Sequence, residues 1–450
     1  AILEARHAIG GTWDLFQYPG IRSDSDMYTL GYPFKPWVAG KAIADGPSIL
    51  EYIRETAREF GIDKHILYQH RVTRADFSTS TDSWKVEVHL SDGQTRFFTT
   101  RFLYLCAGYY DYDAGYTPEF PGRERYRGEI VHPQKWTSDI KYAGKQVVVI
   151  GSGATAVTMV PEMAKTAAKV TMLQRTPTYI ISLPSVDTTA ERLRRWLPGR
   201  YAFSINRWKN VLVSMAIYQL AKRSPKTMRW LINKGVKAEL GTDFDLKHFT
   251  PPYNPWEQRL CVVPDADLFR AIKAGNVELV TDHIETFTEQ GIQLRSGREI
   301  PADLIVTATG LKLKLMGGMQ LEIDGQPVNI PACRVYKGMM LSDVPNMAFA
   351  VGYTNASWTL KADLSNQYVS RLVQYMERER YTRCVPRVKG NVQEEPLLDF
   401  NSGYVLRDLH TLPKQGSKAP WKLYQNYILD LMTLKYRSVT NSMEFSRLQR

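Results

Sequence analysis

Polar and apolar residues alternate from Val72 to Tyr104, as in Trp84-Lys85-Val86-Glu87-Val88, and Ser91-Asp92-Gly93 breaks the run. Period-two patterning punctuated by turn residues predicts a β-meander. Before it, Leu50, Ile53 and Ala57 recur at helical spacing behind Pro47 and Ser48, and Gly61 ends that pattern, which predicts a helix from about Gly46 to Gly61. Ala1 to Glu4 reads as the end of a short strand. A second unit opens at Lys145, where the apolar strand Val147-Val148-Val149-Ile150 runs straight into glycines. A helical stretch to Lys169 and a strand from Val170 to Leu173 follow. This order implies parallel strands joined by a right-handed crossover. A basic helical segment from about Ala190 to Leu240 interrupts the unit. Strand-like pieces return at Val277 to Val280 and at Asp303 to Ala308. From Gly310 to Arg450 no internal repeat or low-complexity tract is seen.

Composition narrows the class. A chain of 450 residues has room for two or three domains, and 44% hydrophobic with 23% charged residues is the make-up of a soluble globular protein. The four cysteines, Cys106, Cys261, Cys333 and Cys384, form no CxxC pair. Neither a zinc site nor a redox dithiol is indicated, and they read as reduced thiols in a cytosolic protein. The net charge is +12, and between Arg192 and Lys237 stand twelve basic residues and no acid. A solvated basic face on helices is one reading of this stretch. A surface that docks on anionic lipid is the other, because apolar residues interleave with the charges. No nucleic-acid recognition motif accompanies the charge. The apolar run Val211 to Ala221 is too short to span a bilayer and contains Ser214, Tyr218 and Gln219. No signal peptide is seen.

Two places carry dinucleotide chemistry. The sequence Gly151-Ser152-Gly153-Ala154-Thr155-Ala156 follows the strand ending at Ile150. In such a loop the first glycine allows a tight turn, and the second lets a pyrophosphate approach the backbone. The small third residue lets helix and strand pack, while helix amides face the phosphates. The next strand ends in Gln174-Arg175-Thr176 rather than in an acid. An acid would hold the 2′-hydroxyl of NAD, whereas arginine and threonine suit a 2′-phosphate, which favours NADPH over NADH. At the N-terminal strand the chemistry is opposite. Glu4 ends it, where a carboxylate would hold an adenosine ribose. Two dinucleotide folds in one chain suggest FAD together with NADPH. The fold class expected is α/β, with two Rossmann-like dinucleotide-binding domains and a helical insertion. Residues 1–140 are assigned to FAD binding, 141–310 to NADPH binding with the insertion at about 190–240, and 311–450 to a return to the FAD domain.

These residues carry a family resemblance. Gly10-Gly11-Thr12-Trp13, Tyr18-Pro19-Gly20 and Asp24 resemble the Baeyer–Villiger monooxygenase fingerprint [AG]GxWxxxx[FY]P[GM]xxxD at every fixed position. A second fingerprint, FxGxxxHxxx[WY], is similar to Tyr126, Gly128, His132 and Trp136. It departs by tyrosine for phenylalanine at the first position, and Thr137 replaces the usual proline or aspartate. Ala308-Thr309-Gly310 matches the closing ATG of the class. Tyr104 to Tyr110 and Pro255 to Cys261 look most like the ethionamide-activating monooxygenases, and the resemblance covers nearly the whole chain. It implies FAD contacts at Glu4, Thr12, Trp13, Asp24 and Val72. It implies an NADPH site of Gly151, Ser152, Gly153, Ala154, Thr155, Ala156 and Val157 with Arg175 and Thr176. Arg22, Ser23 and Asp24 would line the meeting point of the two cofactors. Arg259 looks like the arginine that stabilises the oxygenated flavin, Asp24 could orient it, and His132 looks like a linker histidine that couples domain movement to turnover. For each of these the competing reading is a purely structural residue.

The expected activity is therefore insertion of one oxygen atom from O2 into a ketone, giving an ester or lactone, with oxygenation of sulfur compounds by the same site. The flavin performs the difficult step while protein supplies position, charge and exclusion of water. Arg259 suits this role because a guanidinium stays charged throughout. Two alternatives remain open at this point: a flavin monooxygenase acting only on sulfur and nitrogen, and an inactive flavoprotein. Disulfide reductases share the double dinucleotide architecture, but no CxxxxC pair is present. The glycine loop belonging to Glu4 would lie about 20 residues upstream of it, before Ala1. A parent about 30 residues longer, and weak FAD binding by the chain as written, are therefore expected.

Overall fold

A computed structural model describes residues 1–258, 260–398 and 402–448. The chain divides into two compact units, each assembled from separate stretches of sequence. One contains residues 1–9, 56–111 and 313–450, and the other contains 10–55 and 112–312.

The second unit is built on a five-stranded parallel sheet. Its spatial order is Val277–Thr281, Lys169–Gln174, Gln146–Ile150, Leu304–Thr307, Glu129–Val131. The helix Ala154–Met163 connects the two central strands, as the strand–helix–strand pattern predicts. Apolar residues run continuously along the central strand because both faces are covered. Val147 and Val149 enter one core with Val157, Val160 and Phe269. Val148 and Ile150 enter the opposite core, against Phe287, Ile292 and Ile300 of a three-stranded antiparallel sheet. Burying each such side chain contributes about 1.5–3 kcal/mol.

Three helices, Thr188–Trp196, Gly199–Arg223 and Pro225–Leu240, form the insertion in this unit. Their ends are written locally. The Asp187 side chain accepts from the Ala190 amide at 3.1 Å, Pro225 opens the third helix, and Gly241 with φ of 100° follows its end. Asp187 also takes Asn206 at 2.9 Å and Lys209 at 2.7 Å, which ties the first two helices together.

The first unit holds the meander, with His70–Ser78, Ser83–Leu90 and Thr95–Thr100 antiparallel in sequence order. Gln320–Ile323 joins it parallel to His70–Ser78, and Gln326–Pro327 pairs with Gln320–Ile323 at the edge. Ile2–Leu3 pairs parallel with Ile66–Leu67, and Met347–Phe349 with Leu103–Leu105. The helix Trp358–Arg378 buries Leu360, Leu364, Tyr368, Leu372 and Met376, a stripe at fourth-residue spacing.

Candidate functional site

The glycine loop of the second unit begins where its central strand stops. Gly151 has φ of 135°, and a Cβ there would stand 2.3 Å from the Ala308 carbonyl oxygen. Only glycine fits. The reason lies in the neighbouring strand, Leu304–Thr307, which continues as Ala308-Thr309-Gly310 and presses its backbone onto the loop. Two separate sequence signals, the glycine loop and the closing ATG, thus meet at one contact. Gly153 is different. It is exposed, extended and open, with nothing within 4 Å of the Cβ position. It precedes the helix Ala154–Met163, whose start has no side-chain cap among the described residues. Amides of Ala154 and Thr155 at such a start need acceptors, and an anion supplies them. Ala156 and Val157 are buried and hold the helix against the sheet. The loop therefore fits a pyrophosphate. Ser152 is anchored elsewhere, with its hydroxyl donating to the Thr176 carbonyl at 2.9 Å and lying 2.8 Å from Thr178 Oγ1. Arg175 is exposed at the end of the next strand, while Gln174 beside it is buried on His248 and Thr281.

The first fingerprint lies in the same unit. Gly11 precedes a single helical turn, Thr12–Leu15, and Trp13 packs against the cluster of Met27, Tyr28, Trp37 and Tyr52. Gly20 has φ of 73°, and a Cβ there would meet the Thr158 carbonyl oxygen at 2.8 Å. The fingerprint loop therefore rests directly on the helix that follows the nucleotide loop. Arg22 makes a two-pronged ion pair with Asp267, the first residue of the helix Asp267–Lys273. Ser23 is buried, and its hydroxyl serves the backbone of Ala44. Asp24 is half-buried, with the Ser25 hydroxyl at 3.5 Å. Arg259 lies outside the described residues. Earlier in the same segment, the backbone and side-chain amides of Asn254 hold the Glu257 carboxyl below its usual range, so it stays ionised.

His132 sits at the entrance and exit of this unit. Its Nδ1 accepts from the Gln134 amide at 3.1 Å, so the proton is on Nε2, which donates to the Gly310 carbonyl at 3.1 Å. That carbonyl also takes the Tyr116 amide at 3.0 Å, and Thr309 donates back to the Tyr116 carbonyl at 2.6 Å. Burial lowers the His132 pKa, opposed by the Gly310 contact, so the neutral imidazole is favoured. The geometry is that of a bracket between segments 115–116 and 309–310. Tyr126, the departure in the second fingerprint, is explained locally: its hydroxyl donates to the Ala302 carbonyl at 2.9 Å, and its ring meets Phe287 edge-on. Trp136 is buried in the core of the same unit.

Glu4 and Val72 belong to the other unit. The Glu4 carboxylate accepts from the Arg6 amide at 2.8 Å, at the end of the strand Ile2–Leu3. Val72 sits in the strand His70–Ser78 opposite Val88.

Sequence reading missed three participants: Asp267 and the two arginines Arg194 and Arg207. Arg207 is buried and donates to the carbonyls of Tyr28, Thr29 and Gly31 at 2.7, 3.3 and 2.8 Å. Arg194 reaches the Tyr28 hydroxyl and the carbonyls of Trp37 and Val38. Both brace the chain just beyond Arg22-Ser23-Asp24. Their sequence signal, a run of bases, is the same as that of a solvated face.

Residues 43–317 match the model of a family described as flavin-binding monooxygenase-like. The FAD-containing monooxygenase EthA of Mycobacterium tuberculosis is 55% identical over 438 residues, covering 97% of this chain and 89% of the relative. This chain belongs to the flavin-binding monooxygenase-like family. The probable FAD-binding monooxygenase AlmA of Acinetobacter baylyi is 46% identical over 437 residues, covering 96% and 88%. Among solved structures, an oxidised steroid monooxygenase bound to NADP superposes with a TM-score of 0.73 at 23% identity, over 98% of this chain and 94% of that one. Cyclohexanone monooxygenase from Rhodococcus sp. Phi1 bound to NADP+ gives 0.73 at 19% identity, over 99% and 94%. The fold expected from the sequence, α/β with two Rossmann-like domains, is the fold of this chain, and the class expected, a flavin monooxygenase, is its family.

Proposed function

We propose that this monooxygenase works with FAD and NADPH to insert one oxygen atom of O2 into small-molecule ketones, giving esters or lactones, and that it also oxygenates sulfur compounds. The observation that carries the ketone reading is the seating of the fingerprint Gly10 to Asp24. Gly20 rests on the helix after the nucleotide loop, and Arg22 is locked to Asp267 in the same unit. Names of solved neighbours, a steroid monooxygenase and a cyclohexanone monooxygenase, agree with this substrate class.

In this reading Ala154, Thr155 and the open backbone at Gly153 hold the NADPH pyrophosphate, and Arg175 with Thr176 takes the 2′-phosphate. Glu4, Thr12, Trp13, Asp24 and Val72 are the residues that contact FAD. Reduced FAD supplies the activation of O2. Arg259 supplies fixed positive charge beside the oxygen being transferred, Asp24 orients it, and the His132 bracket positions the segment ending at Gly310. Residues 1–140 and 311–450 would serve FAD and 141–310 NADPH. The segment 192–237 would meet a membrane from outside; among the described residues no helix is long and apolar enough to cross one.

Incubation with a cyclic ketone and with a thioether, in the presence of NADPH and O2, tests the reading. Lactone and sulfoxide are both expected. Sulfoxide without any lactone would leave an enzyme of sulfur and nitrogen only. Nucleotide choice has its own test. Arg175→Ala should weaken NADPH use by about 1.5–3 kcal/mol, the worth of hydrogen bonds to a charged group, and leave NADH use nearly unchanged. Equal loss with both nucleotides would remove Arg175 from the 2′-phosphate.

A further inference from the structure

The twelve basic residues between Arg192 and Lys237 do not form a single solvated face. Arg194, Arg207, Lys209 and Arg229 point into hydrogen bonds and ion pairs with the body of their unit. The other eight are exposed, among them Arg192, Arg195, Arg200, Lys226 and Lys234. Helix Gly199–Arg223 carries members of both sets, Arg207 and Lys209 of the first and Arg200, Lys222 and Arg223 of the second. Its inner face buries Ala202, Phe203, Asn206, Arg207 and Val211. Its outer face repeats Tyr201, Ile205, Trp208 and Leu212, spaced as one side of a helix, and all are exposed. Ile205 is 48% and Leu212 50% exposed, and Trp196, just before this helix, is 86% exposed.

Water is a poor solvent for such a stripe. Scattered exposed apolar residues are ordinary, but a continuous row on one helix marks a contact surface. We propose that this outer face docks on a bilayer rich in anionic lipid, lying in the headgroup region without spanning it. Three observations select that occupant. Exposed bases flank an apolar row that includes Tyr201, Trp208 and Trp196, the arrangement of interfacial helices. No acid occurs from Arg192 to Lys237, so a two-fold contact with a second copy would set like charges against each other. Anionic headgroups complement the same surface. The inner face of this helix holds the chain beyond Arg22-Ser23-Asp24 through Arg207, and Asn210 Nδ2 donates to Asp26 at 2.8 Å. One rigid helix therefore joins the docking face to the candidate cofactor loop.

This inference deepens the membrane contact proposed above, and vesicle binding tests it without any substrate, so its failure would leave the oxygenation reading standing. Holoenzyme is sedimented with vesicles containing phosphatidylglycerol and with vesicles of phosphatidylcholine alone. Strong preference for the anionic vesicles, weakened by high salt, is expected. Tyr201→Glu/Ile205→Glu/Leu212→Glu should lower the bound fraction about tenfold, with the rate on a water-soluble substrate unchanged. Because three changes on one helix can disturb folding, Arg192→Glu/Arg195→Glu/Lys234→Glu serves as a second variant and should give a comparable loss. Equal sedimentation with both vesicle types would overturn the proposal, as would undiminished binding by both variants. A dimer in solution that the apolar variant dissolves, with no vesicle binding by the parent, would overturn it in favour of a second copy.

Discussion

Gly153→Ala is expected to leave the fold intact and to weaken NADPH binding at least tenfold, about 1.4 kcal/mol. The position is extended and open, so an added methyl meets no protein atom within 4 Å. What it does meet is the pyrophosphate, which must approach the backbone there. Gly151→Ala should behave in the opposite way. Its methyl would stand 2.3 Å from a backbone oxygen at φ of 135°, so strain and overpacking together cost about 2–5 kcal/mol of stability. Thermal unfolding and NADPH titration of the two variants separate these effects. Normal nucleotide affinity in a folded Gly153→Ala protein would contradict the assignment of this loop.

Arg259→Ala carries the other large effect. Removing a preorganised positive group from the place where negative charge develops typically costs about 10²–10³ in turnover. Ester formation should fall by that order, while NADPH is still oxidised and the protein stays folded. The continued oxidation matters, because it distinguishes a lost oxygen-transfer group from a collapsed site. Ester formation at the parent rate would remove Arg259 from the chemistry.

Much of the fold was legible because its signals are local. The strand Gln146–Ile150, its glycines and the helix after them form one contiguous run of sequence with one purpose. The meander was equally plain, since period-two patterning and Ser91-Asp92-Gly93 need only neighbours. Partners far apart in the chain were not legible. Arg22 and Asp267 are separated by 245 positions, and neither carries a motif that names the other. The reason for the ATG also lay hidden. Its backbone presses on Gly151 only once parallel strands bring Thr307 opposite Ile150. Basic residues were the hardest to read. Arg207 and Arg200 look alike in the sequence, yet one is buried on three carbonyls and the other is exposed. Burial on the inner face of a helix depends on what packs there, which no local pattern states.

The fate of the oxygen atoms defines the reaction. Purified holoenzyme given a cyclic ketone, NADPH and 18O2 should form lactone carrying one labelled oxygen atom, with one NADPH consumed per lactone. Unlabelled lactone, or NADPH oxidised to the end with every molecule of ketone recovered, would contradict it.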